Sequence, residues 1–279
     1  MIISVASGKG GTGKTTLSVN LASILGIDTQ LLDCDVEEPN DHLFLKGKTI
    51  REETVTIPIP EIDESLCDDC GECADFCRYH AIVSFGTKPI IFPEMCHGCG
   101  GCMRICPRKA IFEVGKRIGV IETIHSEKIT LKGGRLDIGV AMAPPLIRAL
   151  KKSMRNDMPT ILDAPPGTSC PVIAAIRDTD FVILVTEPTP FGLHDLKLAV
   201  DMVREIKIPY GVVVNRVGIG DDRVHLYCEE EKIQILSEIP DDRRIAEEYS
   251  RGNLIVDALP EYRSLFEKIF LGIKNSNRN

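Results

Sequence analysis

Residues 7–16 read Ser7-Gly8-Lys9-Gly10-Gly11-Thr12-Gly13-Lys14-Thr15-Thr16, a segment rich in glycine and lysine that indicates the fold class. An apolar segment over residues 2–6 precedes it, and leucines at helical spacing follow it over residues 17–25. In the order strand, glycine-rich loop, helix, backbone N–H groups close around phosphate oxygens at the positive end of the helix. A full G-x-x-x-x-G-K-T motif in this context predicts a P-loop that binds a nucleotide.

The motif also assigns roles to individual side chains. Lys14 is expected to reach the β- and γ-phosphates, and the Thr15 hydroxyl is expected to ligate Mg²⁺. ATP or ADP, together with Mg²⁺, are therefore the predicted cofactors. The predicted nucleotide-binding residues of the loop are Gly8, Lys9, Gly10, Gly11, Thr12, Gly13, Lys14, Thr15 and Thr16.

Cysteine is the second unusual feature, with 11 residues in a chain of 279. Eight of them form two runs of one spacing, Cys67-x-x-Cys70-x-x-Cys73-x-x-x-Cys77 and Cys96-x-x-Cys99-x-x-Cys102-x-x-x-Cys106-Pro107. This is the bacterial two-cluster ferredoxin pattern, in which the fourth cysteine of a run ligates the cluster of the other run. Carried over, the pattern puts one [4Fe–4S] cluster on Cys67, Cys70, Cys73 and Cys106, and a second on Cys96, Cys99, Cys102 and Cys77. Structural zinc is the alternative, but zinc sites use two cysteine pairs, which two tandem runs of four fit poorly.

The cysteine region carries an internal duplication, and three cysteines lie outside it. Ala81-Ile82 and Ala110-Ile111 follow the two runs at matching positions and supply small apolar cover. Cys34, Cys170 and Cys228 are expected to be buried thiols, with a metal contact at a dimer interface as the alternative for Cys170.

The early lysine makes the P-loop more specific. The stretch from Gly8 to Thr16 resembles the deviant Walker A class, which includes MinD, ParA, Mrp and the nitrogenase iron protein. The resemblance implies that Lys9 reaches across a homodimer interface to the phosphates bound by the other subunit. ATP would then lie between the subunits, and its hydrolysis would loosen them.

Two further segments resemble the switches of this class. They are Leu31-Leu32-Asp33-Cys34-Asp35 for the first switch, and Thr160-Ile161-Leu162-Asp163-Ala164-Pro165-Pro166-Gly167 for the Walker B strand with the second. The resemblance implies that Asp35 orients the attacking water, that Asp33 lies near the metal shell, and that Asp163 holds Mg²⁺ through water. The alternative for Asp33 or Asp35 is a buried strand-end carboxylate that caps a helix. The implied sets are Lys9, Lys14, Asp35 and Asp163 for catalysis, and Thr15, Asp33 and Asp163 for magnesium.

The remaining nucleotide contacts follow from the same resemblance. It implies that the Gly167 backbone senses the γ-phosphate and that Asn215, with Arg216 beside it, occupies the adenine-reading position. Pro240 and Asp241 are implied to close the base pocket. A simple strand-to-helix turn with Asp capping is the alternative for residues 239–242.

Apolar segments alternate with helical patterns on both sides of the cysteine region, with helices predicted over 145–155, 192–206, 242–251 and 260–273. This pattern predicts an α/β fold, a doubly wound and mainly parallel sheet. We predict a discontinuous P-loop ATPase domain over residues 1–59 and 115–279, with an inserted α+β, ferredoxin-like 2[4Fe–4S] domain over residues 60–114. Residues 115–136, with turns at Gly133-Gly134, are expected to return to the sheet as a strand or hairpin. The whole resembles MinD-superfamily P-loop ATPases that carry an inserted ferredoxin domain.

Composition limits the partners and the location. The sequence has 33 Lys+Arg against 41 Asp+Glu, a net charge of −8, which argues against nucleic acid or anionic membrane as the main partner. No apolar run approaches the about 18 residues of a membrane span, and the N-terminus does not read as a secretory signal. With so many thiols, a reducing, cytoplasmic location is expected.

Two surface features have two interpretations each. The acidic residues over 61–75 are expected to form a solvated face, with docking of a basic redox partner as the alternative. The amphipathic segment over 262–273 is expected to pack on its own sheet, and a peripheral membrane contact is the alternative.

These features predict a slow, partner-stimulated ATPase. In the leading hypothesis, a nucleotide-dependent homodimer controls electron flow from two [4Fe–4S] clusters to a redox partner. The second hypothesis is iron–sulfur or metallocofactor assembly, or a carrier ATPase of the Mrp type. A MinD-like positioning ATPase with structural clusters is the third.

Overall fold

The computed structural model describes residues 1–276, which form strands and helices in regular alternation on both sides of the cysteine region. The strands are β1 (Ile2–Ala6), β2 (Thr29–Asp33), β3 (Lys48–Ile62), β4 (Ile82–Val83), β5 (Ile90–Ile91), β6 (Ile111–Ser126), β7 (Ile129–Leu136), β8 (Thr160–Asp163), β9 (Phe181–Thr186), β10 (Tyr210–Val217) and β11 (Ile235–Pro240). The α-helices are α1 (Lys14–Ile24), α2 (Glu72–Phe76), α3 (Gly101–Ile105), α4 (Ala143–Lys152), α5 (Cys170–Ile176), α6 (Pro190–Ile206), α7 (Arg223–Glu230), α8 (Arg243–Ser250), α9 (Ile255–Ala258) and α10 (Arg263–Ser276). Short 3₁₀ turns cover Asp41–Leu43 and Pro260–Tyr262.

A nine-stranded sheet in the order β11-β10-β9-β1-β8-β2-β7-β6-β3 forms the centre of the molecule. The seven strands from β11 to β7 are parallel, and β6 and β3 are added antiparallel at one edge. Helices α4 to α7 pack on one face, and α1, α9 and α10 pack on the other. Because both faces are covered, the central strands are apolar on both sides. The predicted doubly wound, mainly parallel α/β fold is confirmed.

The predicted helices are present, with shifted ends. Prolines lie in the first turns of α4 and α6, where a missing N–H costs nothing, so both helices begin two residues before the predicted start. The Thr189 hydroxyl caps α6 by accepting a hydrogen bond from the Gly192 N–H at 3.0 Å. The last predicted helix divides into a 3₁₀ turn over Pro260–Tyr262 and α10.

Residues 115–136 return to the sheet as a hairpin, as predicted, but the predicted turn position is wrong. The turn lies at Glu127 and Lys128, where Glu127 takes a φ of +50°. Gly133 and Gly134 lie inside β7 instead. Gly134 is needed there for close packing, because a Cβ atom on it would come within 2.6 Å of Val36 Cγ1.

The cysteine region is joined to the sheet by two long strands. β3 and β6 pair from Lys48 opposite His125 to Ile62 opposite Ile111, with two register shifts. Beyond this ribbon lie α2, α3 and the two-stranded β4–β5 sheet, an arrangement compatible with an inserted α+β module. The domain limits proposed from the sequence, 59/60 and 114/115, fall inside these continuous strands.

The C-terminal helix packs on the protein itself. The side chains of Phe266, Ile269 and Ile273 are fully buried in the core cluster that covers one face of the sheet. The apolar stripe that suggested a membrane contact is therefore occupied by the core. No helix within residues 1–276 has the length and apolar character needed to cross a membrane.

Candidate functional site

The P-loop lies between β1 and α1 and has the backbone that the motif requires. Gly13 has a φ of +97°, a left-handed conformation that favours glycine, and α1 begins directly after it at Lys14. A Cβ atom on Gly13 would also lie 2.3 Å from Asn215 Nδ2. Asn215 donates a hydrogen bond from Nδ2 to the Thr12 carbonyl at 2.8 Å, so this side chain ties the end of β10 to the loop.

A cavity of about 400 Å³ opens in front of the P-loop at the carboxyl end of the sheet. The predicted residues that line it are Gly10, Gly11, Gly13, Lys14, Thr15, Thr16, Asp35, Asn215, Arg216, Pro240 and Asp241. Ligands of doubly wound sheets bind at this end of the strands. Gly8, Lys9, Thr12 and Gly167 do not line the cavity. Its position and lining make it the candidate nucleotide site.

Asp163, at the end of β8, lies directly behind the P-loop. Thr15 Oγ1 donates to one carboxylate oxygen at 2.7 Å, and Ser18 Oγ donates to the other at 3.0 Å. Asp163 is 1% exposed, and burial raises its pKa, although the charge of Lys14 opposes the rise. The structure therefore brings together Lys14, Thr15 and Asp163, as predicted for the phosphate and magnesium end of the site.

Asp33 organises the backbone of the first switch. Its Oδ1 accepts the Asp35 N–H at 3.1 Å, and its Oδ2 accepts the N–H groups of Asn40 and Asp41 at 2.8 and 3.0 Å. Burial and the charge of Asp163 raise the pKa of Asp33 to about 8. Asp33 does not line the nucleotide cavity, and its three backbone hydrogen bonds are those of a capping residue. Its predicted place near the metal shell stays a proposal.

Asp41 is a third buried carboxyl group here, and sequence reasoning missed it. It is 0% exposed, and neither of its carboxyl oxygens accepts a hydrogen bond. Burial, and then the charges of Asp33 and Asp163, raise its pKa well above the ordinary value, and in its protonated form it can donate to Asp163. The only hint in the sequence is that Asp41 follows a strand end that already carries two Asp residues.

Asp35 and Lys14 both line the nucleotide cavity. Burial and the charge of Asp163 raise the pKa of Asp35 to about 6, while Lys14 pulls it in the opposite direction. Burial lowers the pKa of Lys14, and the charges of Asp163 and Asp35 oppose this change. A half-buried carboxylate with a pKa near neutrality is suited to act on a water molecule.

Lys9 and Arg216 share one buried partner, Glu187, which sequence reasoning also missed. Lys9 Nζ lies 3.0 Å from Glu187 Oε2, and Arg216 Nη1 lies 2.9 Å from Glu187 Oε1. The Glu187 side chain is 7% exposed. It directly follows β9, and its position at the carboxyl end of a parallel strand is the clue that could have identified it.

Two other predicted segments have a structural role that is visible without a ligand. The Gly167 N–H donates to the Ser7 carbonyl at 3.0 Å, which ties the second switch to the P-loop. Pro240 and Asp241 line the cavity, while the next residue, Asp242, caps α8 by accepting the Arg244 N–H at 2.8 Å. Residues 239–242 therefore contribute to the lining of the cavity and also form a strand-to-helix turn with an Asp cap, so the two interpretations are compatible.

The eight cysteines of the two runs line two separate cavities in the inserted region. One cavity, of about 20 Å³, is lined by Cys67, Cys70, Cys73 and Cys106. The other, of about 210 Å³, is lined by Cys77, Cys96, Cys99 and Cys102. These are the two sets of four that the spacing predicts, each with the fourth cysteine contributed by the opposite run.

Backbone N–H groups point at several of these sulfur atoms. The Gly98 N–H donates to Cys96 Sγ at 3.4 Å, and the Ala110 N–H donates to Cys106 Sγ at 3.3 Å. Burial raises the pKa of Cys102 to about 11. Within residues 1–276, no group of three or more His, Cys, Asp or Glu side chains is arranged to hold a single metal ion.

The three other cysteines divide into two kinds. Cys34 and Cys228 are buried, as expected for small apolar side chains. Cys170, at the start of α5, is exposed, so the expectation of a buried thiol is wrong there.

Comparison with known families agrees with this geometry. The CobQ/CobB/MinD/ParA nucleotide-binding domain matches residues 3–255. The chain belongs to this family. The match spans the P-loop, both switches and the base-side turn, and it includes the cysteine region.

Several relatives of this family member are recognisable by sequence. An uncharacterized protein of Methanocaldococcus jannaschii is 36% identical in an alignment of 263 positions that covers 90% of each chain. An iron–sulfur cluster carrier protein of Pyrococcus abyssi is 26% identical over 91% of this chain and 78% of the relative. A protein of the same name from Aquifex aeolicus is 28% identical over 98% of this chain and 65% of the relative.

Solved structures share the fold. The cell division ATPase MinD of Pyrococcus furiosus superposes with a TM-score of 0.61 at 21% identity, over 98% of both chains. MinD of Pyrococcus horikoshii in complex with Mg-ADP gives a TM-score of 0.60 at 21% identity, over 96% of this chain and 93% of that one. The chain therefore has the MinD-like P-loop fold.

Proposed function

We propose that the chain is an ATPase whose nucleotide state controls electron transfer through two [4Fe–4S] clusters. The observation that carries the proposal is the pair of four-cysteine cavities on a MinD-like P-loop domain. We propose that ATP is hydrolysed at the interface between two copies of the chain. We expect this hydrolysis to be slow until a redox partner binds.

The residues around the nucleotide cavity support hydrolysis. Lys14 would hold the β- and γ-phosphates, and the Thr15 hydroxyl would ligate Mg²⁺, which supplies positive charge to the phosphates when bound. Asp163, which already accepts the Thr15 hydroxyl, orients that group and would help to hold the metal. Asp35 lines the cavity and, when ionised, orients the attacking water. The Gly167 N–H exchanges the Ser7 carbonyl for the γ-phosphate.

Dimer formation requires Lys9 to change partner. In the single chain Lys9 pairs with Glu187 at 3.0 Å and remains 33% exposed. In the proposed dimer Lys9 leaves this carboxylate and contacts the phosphates bound by the other subunit. Arg216 remains with Glu187 and keeps its charge balanced.

The two cysteine cavities fit [4Fe–4S] clusters by their donor sets. Each has four thiols, of which three come from one run and one from the other, and N–H groups point at the sulfur atoms. Cys67, Cys70, Cys73 and Cys106 would hold the first cluster, and Cys77, Cys96, Cys99 and Cys102 the second. Bound clusters supply one-electron storage and transfer.

The strand β7 links the switch region to the cluster module. The Leu136 N–H at its end donates to the Val36 carbonyl of the first switch at 2.9 Å, and Gly134 packs against the same residue. β7 pairs along its length with β6, which continues to Ile111 beside the first cavity. A change in the switch would thus act on a strand that is directly paired with the module.

The first test is the metal content of the full chain reconstituted anaerobically with iron and sulfide. Two clusters require about eight iron and eight sulfide per chain. Cys106→Ser and Cys77→Ser should each weaken one cluster and leave the other, while Cys228→Ser, which changes a buried thiol on α7, should keep the full content. Stoichiometric zinc in place of iron in the native protein would contradict the proposal.

A second candidate function, cluster transfer to an apo-protein, is favoured by the relatives named iron–sulfur cluster carrier proteins. In that case a cluster would be the cargo rather than a resident group. Incubation of ⁵⁵Fe-labelled protein with an apo-ferredoxin separates the two functions. Retention of all label after addition of MgATP supports electron transfer, and ATP-dependent loss of label supports the carrier function.

A further inference from the structure

The internal duplication places a pair of side chains at equivalent positions on the two cysteine cavities. In each pair, one residue lies two positions after the last cysteine of a run, and the other directly follows the first cysteine of the opposite run. At the first cavity the pair is Arg108 and Asp68. At the second cavity the pair is Tyr79 and His97. Equivalent positions therefore hold two oppositely charged side chains at the first cavity and two aromatic rings at the second.

The pair at the first cavity is an exposed ion pair. Arg108 Nε donates to Asp68 Oδ2 at 2.7 Å, and the two side chains are 61% and 38% exposed. Exposed pairs of this kind contribute little to stability, and salt screens them.

The pair at the second cavity is an aromatic stack. The rings of Tyr79 and His97 have centroids 3.8 Å apart and planes inclined by 15°. Stacked rings attract by dispersion and by removal of ring faces from water, and salt does not screen this attraction. Phe76, Ala81 and Ile82 extend the apolar lining of the same cavity.

We propose that the Tyr79–His97 stack is a salt-resistant cover that keeps water and solutes from the second cluster, whereas the Asp68–Arg108 ion pair covers the first cluster only loosely. The apolar shell of a metal site controls solvent access, so the two clusters differ in lifetime. This inference rests on the proposed function, because it requires a cluster in each cavity.

The test is the rate of iron release from the reconstituted full chain to the chelator ferrozine. Measurements at about 0.01 M and about 1 M salt change the Debye length from about 30 Å to about 3 Å. The wild type should lose iron in two phases of equal amplitude. The fast phase, from the first cluster, should accelerate with salt and in Arg108→Ala, and the slow phase should not respond to salt.

Variants of the stack identify the slow phase. Tyr79→Ala and His97→Ala should each accelerate it about 2- to 10-fold, the range that corresponds to the loss of one aromatic pair. Tyr79→Phe, which keeps the ring, should leave the rate unchanged. Tyr79 is 43% exposed, so its replacement should leave the fold intact. An unchanged rate of ATP hydrolysis in the variants will verify that they are folded.

Three results would overturn the inference and locate the fault. Two of them would refute the role of the stack as a cover and would not affect the proposed function. The first is release of iron in a single phase by a wild type that holds eight iron atoms, and the second is a slow phase that is unchanged in both alanine variants. A wild type that takes up no iron under anaerobic reconstitution would contradict the proposed function itself.

Discussion

The pKa of Asp35 depends on its burial and on the nearby charge of Asp163. Asp163 is buried, and the burial of Asp35 together with the charge of Asp163 raises the pKa of Asp35 to about 6. Lys14 limits the rise, because its positive charge favours the ionised form. Asp35 is thus a carboxylate that changes charge just below neutral pH, at the position where an attacking water would be held.

A pH dependence of ATP hydrolysis follows from this pKa. In the proposed mechanism only ionised Asp35 orients the water, so kcat should be constant above about pH 7 and fall as the pH drops through about 6. Phosphate release at saturating MgATP, measured between pH 5 and pH 8, checks this. Asp35→Asn should lower kcat by about 100-fold or more and abolish the pH dependence. A wild-type profile that is flat across this range would contradict the role of Asp35.

Asp41 should affect stability rather than chemistry. Its folded pKa lies well above the ordinary 3.8, so the folded state gains stability from its protonation below about pH 4 and loses that stability as the pH rises. Asp41→Asn removes the ionisable group. We expect the free energy of unfolding to increase at pH 8, by about 1.4 kcal/mol for each unit by which folding raises the pKa, and to change less at pH 4.

Urea denaturation at the two pH values measures this effect. Asp201→Asn, on the exposed face of α6, is the matched control and should change neither value. Equal effects of Asp41→Asn at pH 4 and pH 8 would show that the Asp41 carboxyl is not the source of the pH dependence.

Among the elements, β7 packs tightly against Val36, the residue that directly follows the first switch. Gly134 has no room for a side chain, because a Cβ atom would lie 2.6 Å from Val36 Cγ1 and 3.4 Å from Leu146 Cγ. Its neighbour Gly133 has room, since the nearest atom to its Cβ position is Asp33 Cβ at 3.9 Å. The two glycines therefore form a matched pair within one strand.

Gly134→Ala should destabilise the protein by about 1–3 kcal/mol, the usual cost of overpacking. It should also raise the KM for MgATP, because Val36 directly follows Asp35, which lines the nucleotide cavity. Gly133→Ala should be tolerated, with a change in unfolding free energy below about 1 kcal/mol. Thermal unfolding and steady-state ATP hydrolysis measure both effects. The packing argument fails if the two variants are equally stable.

Features that depend on local spacing could be predicted from the sequence. The P-loop and the two cysteine sets are of this kind, because ligand spacing along the chain determines which atoms meet. Glu187 and Asp41 have only a positional clue in the sequence, since the packing of distant strands is what buries them next to Lys9 and Asp163. The hairpin turn was misplaced because Gly133-Gly134 resembles a turn, while the real turn uses Glu127 in a left-handed conformation.

At the scale of the whole molecule, the nucleotide site and the cluster module are joined by a two-stranded ribbon. β6 has 16 residues, so it spans about 50 Å at about 3.3 Å per residue. One end pairs with β7 beside the first switch, and the other end reaches Ile111 at the first cavity. Electron transfer that responds to ATP would require this continuous connection, or docking of a partner that contacts both ends.

The most direct test of nucleotide control is a redox titration of the reconstituted protein, followed by EPR, with a non-hydrolysable ATP analogue and with ADP. We predict that the midpoint potential of at least one cluster differs between the two states by about 30 mV or more, which is about a threefold change in a one-electron equilibrium. Lys14→Ala should show no difference between the two nucleotides. Identical potentials for the wild type in both states, at saturating nucleotide, would contradict control of the clusters by ATP.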